Sequence, residues 1–147
     1  MILKILTDKH PSLRQVCNAV DDPSKYTSFV MSMLTTMKSH KALGLAANQV
    51  GKSLRIITIN TPDFSGVMFN PEITETSAEI QTFPEGCLSI KNTTVNTGIR
   101  AKTIKVRWQD KTGMYNDKEF TDLTAVVIQH EIDHLFGIIF TDYKTRS

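Results

Sequence analysis

The stretch Asp122-Leu-Thr-Ala-Val-Val-Ile-Gln-His-Glu-Ile-Asp-His-Leu-Phe-Gly137 decides the fold and the chemistry together. Leu123, Val126 and Val127 recur at helical spacing, and His130 and His134 continue the same stripe. The reading is a helix from about Leu123 to Phe136, capped by Thr121 or Asp122 and stopped at Gly137. Histidines four residues apart project from one face, so both imidazoles can reach a single cation. Glu131, beside the first of them, can reach a water on that cation without being a ligand. With four histidines in 147 residues, chance gives such a His-Glu-x-x-His run roughly 0.004 times. A solvated charged face would put the histidines opposite the apolar stripe rather than on it. Buried imidazoles need partners, and one metal ion serves both.

The third ligand decides the class of site. The tail after His134 contains no Glu, His or Cys, so Asp142 is the one downstream alternative. Upstream, Cys87 lies in the turn-like Pro84-Glu-Gly-Cys-Leu-Ser89, and a thiolate is a strong ligand for a first-row ion. Cys87 is the leading candidate. Cys17 reads as a buried apolar residue, and His10 and His40 as structural or surface residues.

Outward from this helix, the rest reads as a frame for it. Asp22-Pro23 is an N-cap followed by proline at the first helical position. Tyr26, Phe29, Val30, Met33, Leu34 and Met37 then follow a helical period as core. Leu54 to Asn60 and Thr103 to Trp108 are rich in β-branched residues and read as strands, with Val67 to Asn70 and Met114 to Phe120 as weaker candidates. Asp110-Lys-Thr-Gly113 supplies a turn. A helix, a run of strands and a second helix give an α+β class, with antiparallel or mixed sheets around the C-terminal metal-binding helix.

The length of 147 residues suits one domain spanning 1–147. Hydrophobic residues at 40% and charged residues at 22% exclude a disordered or membrane composition. A net charge of +2 gives no reason to expect direct nucleic-acid binding. The apolar start of the chain is broken by Lys4, too early for a secretory signal, and two cysteines make no disulfide framework. A reducing cytoplasmic setting is the expectation.

Three segments in order, Gly44-Leu-Ala-Ala-Asn-Gln49, Glu85-Gly-Cys-Leu-Ser89 and Gln129-His-Glu-Ile-Asp-His134, resemble the signatures of the peptide deformylase family. Pro11-Ser-Leu-Arg14 and Phe140-Thr-Asp-Tyr143 extend the likeness over nearly the whole chain. The resemblance implies that Cys87, His130 and His134 hold the metal and that Glu131 is the general acid/base. It implies that the Gln49 amide and the Leu88 backbone N–H stabilise the oxyanion, and that Glu85 pairs with Arg100. Leu43, Gly44, Leu45, Phe83, Gly86, Leu123, Val126 and Val127 would form the methionine pocket and peptide-docking edge. The implied cofactor is one divalent ion, Fe²⁺ natively, with Ni²⁺ or Co²⁺ as active substitutes and Zn²⁺ as a further occupant.

The implied reaction is hydrolysis of the formyl group from N-formylmethionyl peptides by a monomer, with the ribosome close by and no membrane partner. Three positions depart from the family pattern: Ala42 stands where a glycine is usual, Lys91 replaces a common proline, and Thr94 lies where many bacterial members have arginine. Many bacterial members also continue into a further helix that helps some dock on the ribosome, whereas short forms occur among phage-encoded members. Two rivals stand beside this reading. One is another metallohydrolase, a protease or amidase, on the same metal helix. The other is a structural metal module or peptide-binding protein without activity.

Overall fold

A computed structural model describes residues 1–7 and 9–146. Single-turn 3-10 segments at Pro11–Arg14 and Pro23–Tyr26 lead into helix α1 (Thr27–Ser39). Strand β1 (Gly44–Ala46), a 3-10 turn (Ala47–Val50), β2 (Ile56–Thr61), β3 (Phe64–Thr76), β4 (Ile80–Gln81), β5 (Pro84–Cys87) and β6 (Ile90–Asn96) follow. The chain then forms β7 (Arg100–Ala101), β8 (Thr103–Gln109), β9 (Tyr115–Thr121), α2 (Asp122–Leu135) and a last 3-10 segment, Phe140–Arg146. The class is α+β, as the order of elements in the sequence implies.

Five strands form one antiparallel sheet in the order β1-β2-β3-β8-β9, while β4 pairs with β7 and β5 with β6. Alternation explains β8: Ile104, Val106 and Trp108 are buried, and Lys105 and Arg107 are exposed. Strand β2 breaks that rule because it is covered on both faces. Ile57 and Ile59 pack with Ile128, Ile132 and Leu135 of α2. Ile56 joins the opposite cluster, with Val30, Met33 and Met37 of α1. The sheet thus carries one helix on each face, and β2 between them is buried at every position but Asn60, which is half-buried.

The helix ends differ in detail from their sequence signals. Asp22 does cap its segment, accepting from the Ser24 N–H at 3.1 Å, but the first turn is 3-10 and α1 begins at Thr27. Thr121 occupies the N-cap position of α2 without a capping bond; its hydroxyl donates to the Lys102 carbonyl at 3.1 Å instead. The second weak strand starts at Tyr115 rather than Met114, whose backbone N–H turns back onto Asp110 at 3.2 Å. Gly137 stops α2 at φ 74°, and a Cβ there would lie 2.6 Å from the Arg14 carbonyl oxygen. Only glycine meets both demands.

Candidate metal and active site

Helix α2 buries His130 and His134 on its inner face, at 7% and 0% exposure. The β5–β6 hairpin delivers the third group. Its register shifts between Glu85 and Cys87, and such a bulge re-aims the side chains around it. Cys87 Sγ stands 3.4 Å from His134 Nε2, and the ligating atoms of Cys87, His130 and His134 all lie within 4.8 Å of one another. A thiolate and an imidazole on one tetrahedral ion stand about 3.5 Å apart, given bonds of about 2.3 and 2.0–2.1 Å. The triad fits a divalent ion. Asp142 is engaged elsewhere, in a two-pronged bond with Arg14 at 2.7 and 3.0 Å.

Neighbouring groups fix how the histidines present themselves. Glu85 Oε1 lies 2.9 Å from His130 Nδ1, which leaves Nε2 for the metal side. Burial opposes charge on His130, but Cys87 and Glu85 outweigh it and hold its pKa up to about 10. These surroundings favour a cation. Burial, reinforced by His130, keeps His134 well below the ordinary histidine range and therefore neutral, the ligating form.

Glu85 is itself held by a buried network. Arg100 Nε and Nη2 reach its two oxygens at 2.9 and 2.8 Å, and the Thr97 hydroxyl donates at 3.1 Å. Burial alone would raise its pKa; His130 and Arg100 reverse that and bring it down to about 2. The third guanidinium nitrogen pairs with Asp133 at 2.7 Å, and Asp133 also accepts from the Tyr143 hydroxyl at 3.0 Å.

Glu131 has the opposite environment. It is 4% exposed, and its Oε1 has no hydrogen-bond partner among the described residues. Burial pushes its pKa up to about 7, against the pull of His130 and Arg100. A carboxyl poised there can take up and return a proton near neutrality. Gly44 makes room for it: a Cβ at that position would lie 2.7 Å from Glu131 Oε2 and 2.9 Å from a Val127 methyl.

Gln49 reaches the triad from the 3-10 turn after β1. Its Oε1 accepts from the Ala46 N–H at 2.9 Å, which fixes the orientation of the amide. Its Nε2 donates to the Ser89 hydroxyl at 3.1 Å and points at Cys87 Sγ at 3.4 Å. A cleft of about 320 Å³ opens here. Leu43, Gly44, Phe83, Gly86, Val126 and Val127 line it beside Gln49, Cys87, Leu88, His130 and Glu131.

Two residues grouped with that lining lie elsewhere. Leu45 is fully buried in the α1-side core, and Leu123 packs against the α2-side core. Neither borders the cleft. His40 and Lys41, read as surface residues or unremarked in the sequence, do border it. The departure at Ala42 is accommodated, because the left-handed residue in that loop is Lys41, at φ 54°. Cys17 is 3% exposed in the core, and His10 caps the first 3-10 segment, accepting from the Ser12 N–H at 3.1 Å.

Sequence reasoning missed Asn48, Ser89, Thr97 and Asp133. Asn48 Nδ2 donates to the His134 carbonyl, tying the Gln49 turn to the end of the metal helix. Asn48 and Ser89 lie inside the signature segments, yet only the fold shows which groups they meet.

The family profile described as polypeptide deformylase matches residues 2–147. The peptide deformylase of Psychrobacter arcticus is 34% identical over 149 aligned residues, covering 99% of this chain and 80% of that one. The crystal structure of the enzyme from Thermotoga maritima superposes with a TM-score of 0.93 at 34% identity, covering 97% of each chain. That from the Vibrio parahaemolyticus bacteriophage VP16T, in complex with actinonin, gives 0.90 at 36%, covering 93% of this chain and 99% of that one. With agreement at this level over nearly the full length, the chain belongs to the polypeptide deformylase family and is a hydrolase.

Proposed function

We propose that residues 1–147 form one catalytic unit that removes the formyl group from N-formylmethionyl peptides, releasing formate and a free amine. One observation carries this: the buried Glu131 carboxyl, whose Oε1 has no hydrogen-bond partner among the described residues, beside the Cys87–His130–His134 triad, with the Gln49 amide alongside. When bound, a divalent ion supplies Lewis acidity and an acidified water. Glu131 takes the proton from the attacking water and returns it to the departing amine. The Gln49 amide and the Leu88 N–H meet the charge that develops on the formyl oxygen. Loss of one such donor costs about 10²–10³ in rate. Phe83, Val126, Val127 and Leu43 receive the methionine side chain, and Gly44 and Gly86 let the peptide backbone approach.

Fe²⁺ is the proposed native ion, and Ni²⁺, Co²⁺ and Zn²⁺ suit the same donors. The test is anaerobic turnover of a formyl-Met tripeptide by Ni²⁺- or Fe²⁺-loaded protein beside Glu131→Ala. Amine release by the wild type, lost in the variant while the ion stays bound, supports the reading; folded, loaded wild type without release rejects it. Cys87→Ser lowers ion content and turnover together, and full retention of both would remove Cys87 from the ligand set.

A further inference from the structure

The catalytic cleft continues past the metal triad. A second groove, about 730 Å³ in volume, opens from the same wall, because His40, Cys87 and Leu88 border both cavities. The N-terminal segment and the β5–β6 hairpin shape it. Leu3 and Ile5 turn inward onto the α1-side core, while Lys4 between them is exposed. Exposed Lys91 lies in the same lining, and Lys41 borders the first cavity next to His40. No carboxylate lines the second groove among the described residues. Glu85 and Glu131, which line the first, are both buried in the metal machinery. Among the described residues, none of Lys4, Lys41 and Lys91 forms an ion pair. The lining is therefore apolar below and positively charged at its edge.

We infer that the peptide residues following formyl-methionine pass from the cleft into this groove, which selects acidic side chains. The inference rests on the deformylase reading for the identity of the substrate. With methionine against Val126 and Val127, as proposed above, the chain that follows can leave through the wall common to both cavities, at His40, Cys87 and Leu88. Unpaired lysines at the edge attract carboxylates and repel lysine or arginine, an effect expressed mainly in capture of the peptide.

The test uses three formyl-Met peptides of equal length, continuing in Asp/Glu, in Ala/Ser or in Lys. For each, kcat/KM is measured with the Ni²⁺-loaded enzyme. The Kd of the unformylated, C-terminally dye-labelled counterpart is read separately by fluorescence anisotropy. Two partly exposed charges favour acidic over basic peptides by about tenfold at low salt, and about 0.5 M NaCl removes most of that preference. Lys4→Glu combined with Lys91→Glu inverts the order, whereas Lys105→Glu on β8, which borders neither cavity, leaves it intact. Equal kcat/KM and equal Kd for acidic and basic peptides in the wild type overturn the inference, as does an order unchanged in the double variant. If no formyl peptide turns over but the anisotropy order holds, the deformylase reading fails and the groove assignment stands.

Discussion

Replacing Arg100 with methionine isolates the buried network behind the metal triad. Both Arg100 and Glu85 have side chains only 3% exposed, so the variant leaves a carboxylate buried with His130 and Thr97 as its remaining partners. Removing one member of such a pair costs about 3–5 kcal/mol, because desolvation of the survivor is no longer offset. For a chain of this size that lowers the thermal midpoint by roughly 10 °C. The measurement is urea and thermal unfolding of wild type and Arg100→Met at pH 7, at equal metal loading. Lys105→Met is the control: its ion pair with Glu75 has side chains 54% and 64% exposed, and its loss costs less than about 1 kcal/mol.

The pH dependence carries a sign. Glu85 has its pKa lowered from 4.5 to about 2, so its contribution is complete above pH 4.5 and fades as pH falls through about 2. Without Arg100 the carboxyl protonates more readily, and the stability gap between the two proteins narrows in acid. A gap below about 1 kcal/mol at pH 7, or one that widens towards pH 4, would refute the account of this network.

Gly44→Ala places a methyl 2.7 Å from Glu131 Oε2, and the carboxylate must move. Displacement near 1 Å costs on the order of 10² in rate, so kcat falls while ion content and the unfolding midpoint change little. Unaltered kcat would show that Glu131 needs no defined position. Ser89→Ala frees one Gln49 N–H that now donates to a hydroxyl at 3.1 Å. The expected effect is a fall in kcat of about tenfold with KM nearly unchanged, partly restored by Ser89→Thr; an effect confined to KM would contradict this positioning role.

The metal helix was the most legible element, because periodicity and chemistry coincide in Leu123 to His134. The strand Thr103 to Trp108 was legible for a similar reason: one face is buried and one exposed, so its sequence alternates. Strand β3 was only glimpsed at Val67 to Asn70, since it runs on to Thr76 through two register shifts that break any simple alternation. The cleft lining was partly legible. Val126 and Val127 follow from the helix face, but Leu45 and Leu123 are turned into cores that depend on sheet order. The place of His40 and Lys41 at the cleft was hidden because a loop residue meets the cleft only through tertiary packing. Ser89 and Asn48 were hidden for the same reason, as each bonds to a group tens of residues away.

The 3-10 turn at Ala47–Val50 sends neighbouring side chains in two directions, Asn48 to the end of α2 and Gln49 to the cysteine hairpin. The Ser12 hydroxyl also donates to the Asn48 carbonyl at 2.8 Å, so three separate stretches of chain converge on four residues. In hydrogen exchange, this turn and the C-terminal end of α2 should then open as one cooperative unit, despite lying more than eighty residues apart in sequence. A fluctuation that loosens the turn would slacken the hold on the metal helix and the aim of Gln49 together, making this short segment a single point of failure for the whole centre.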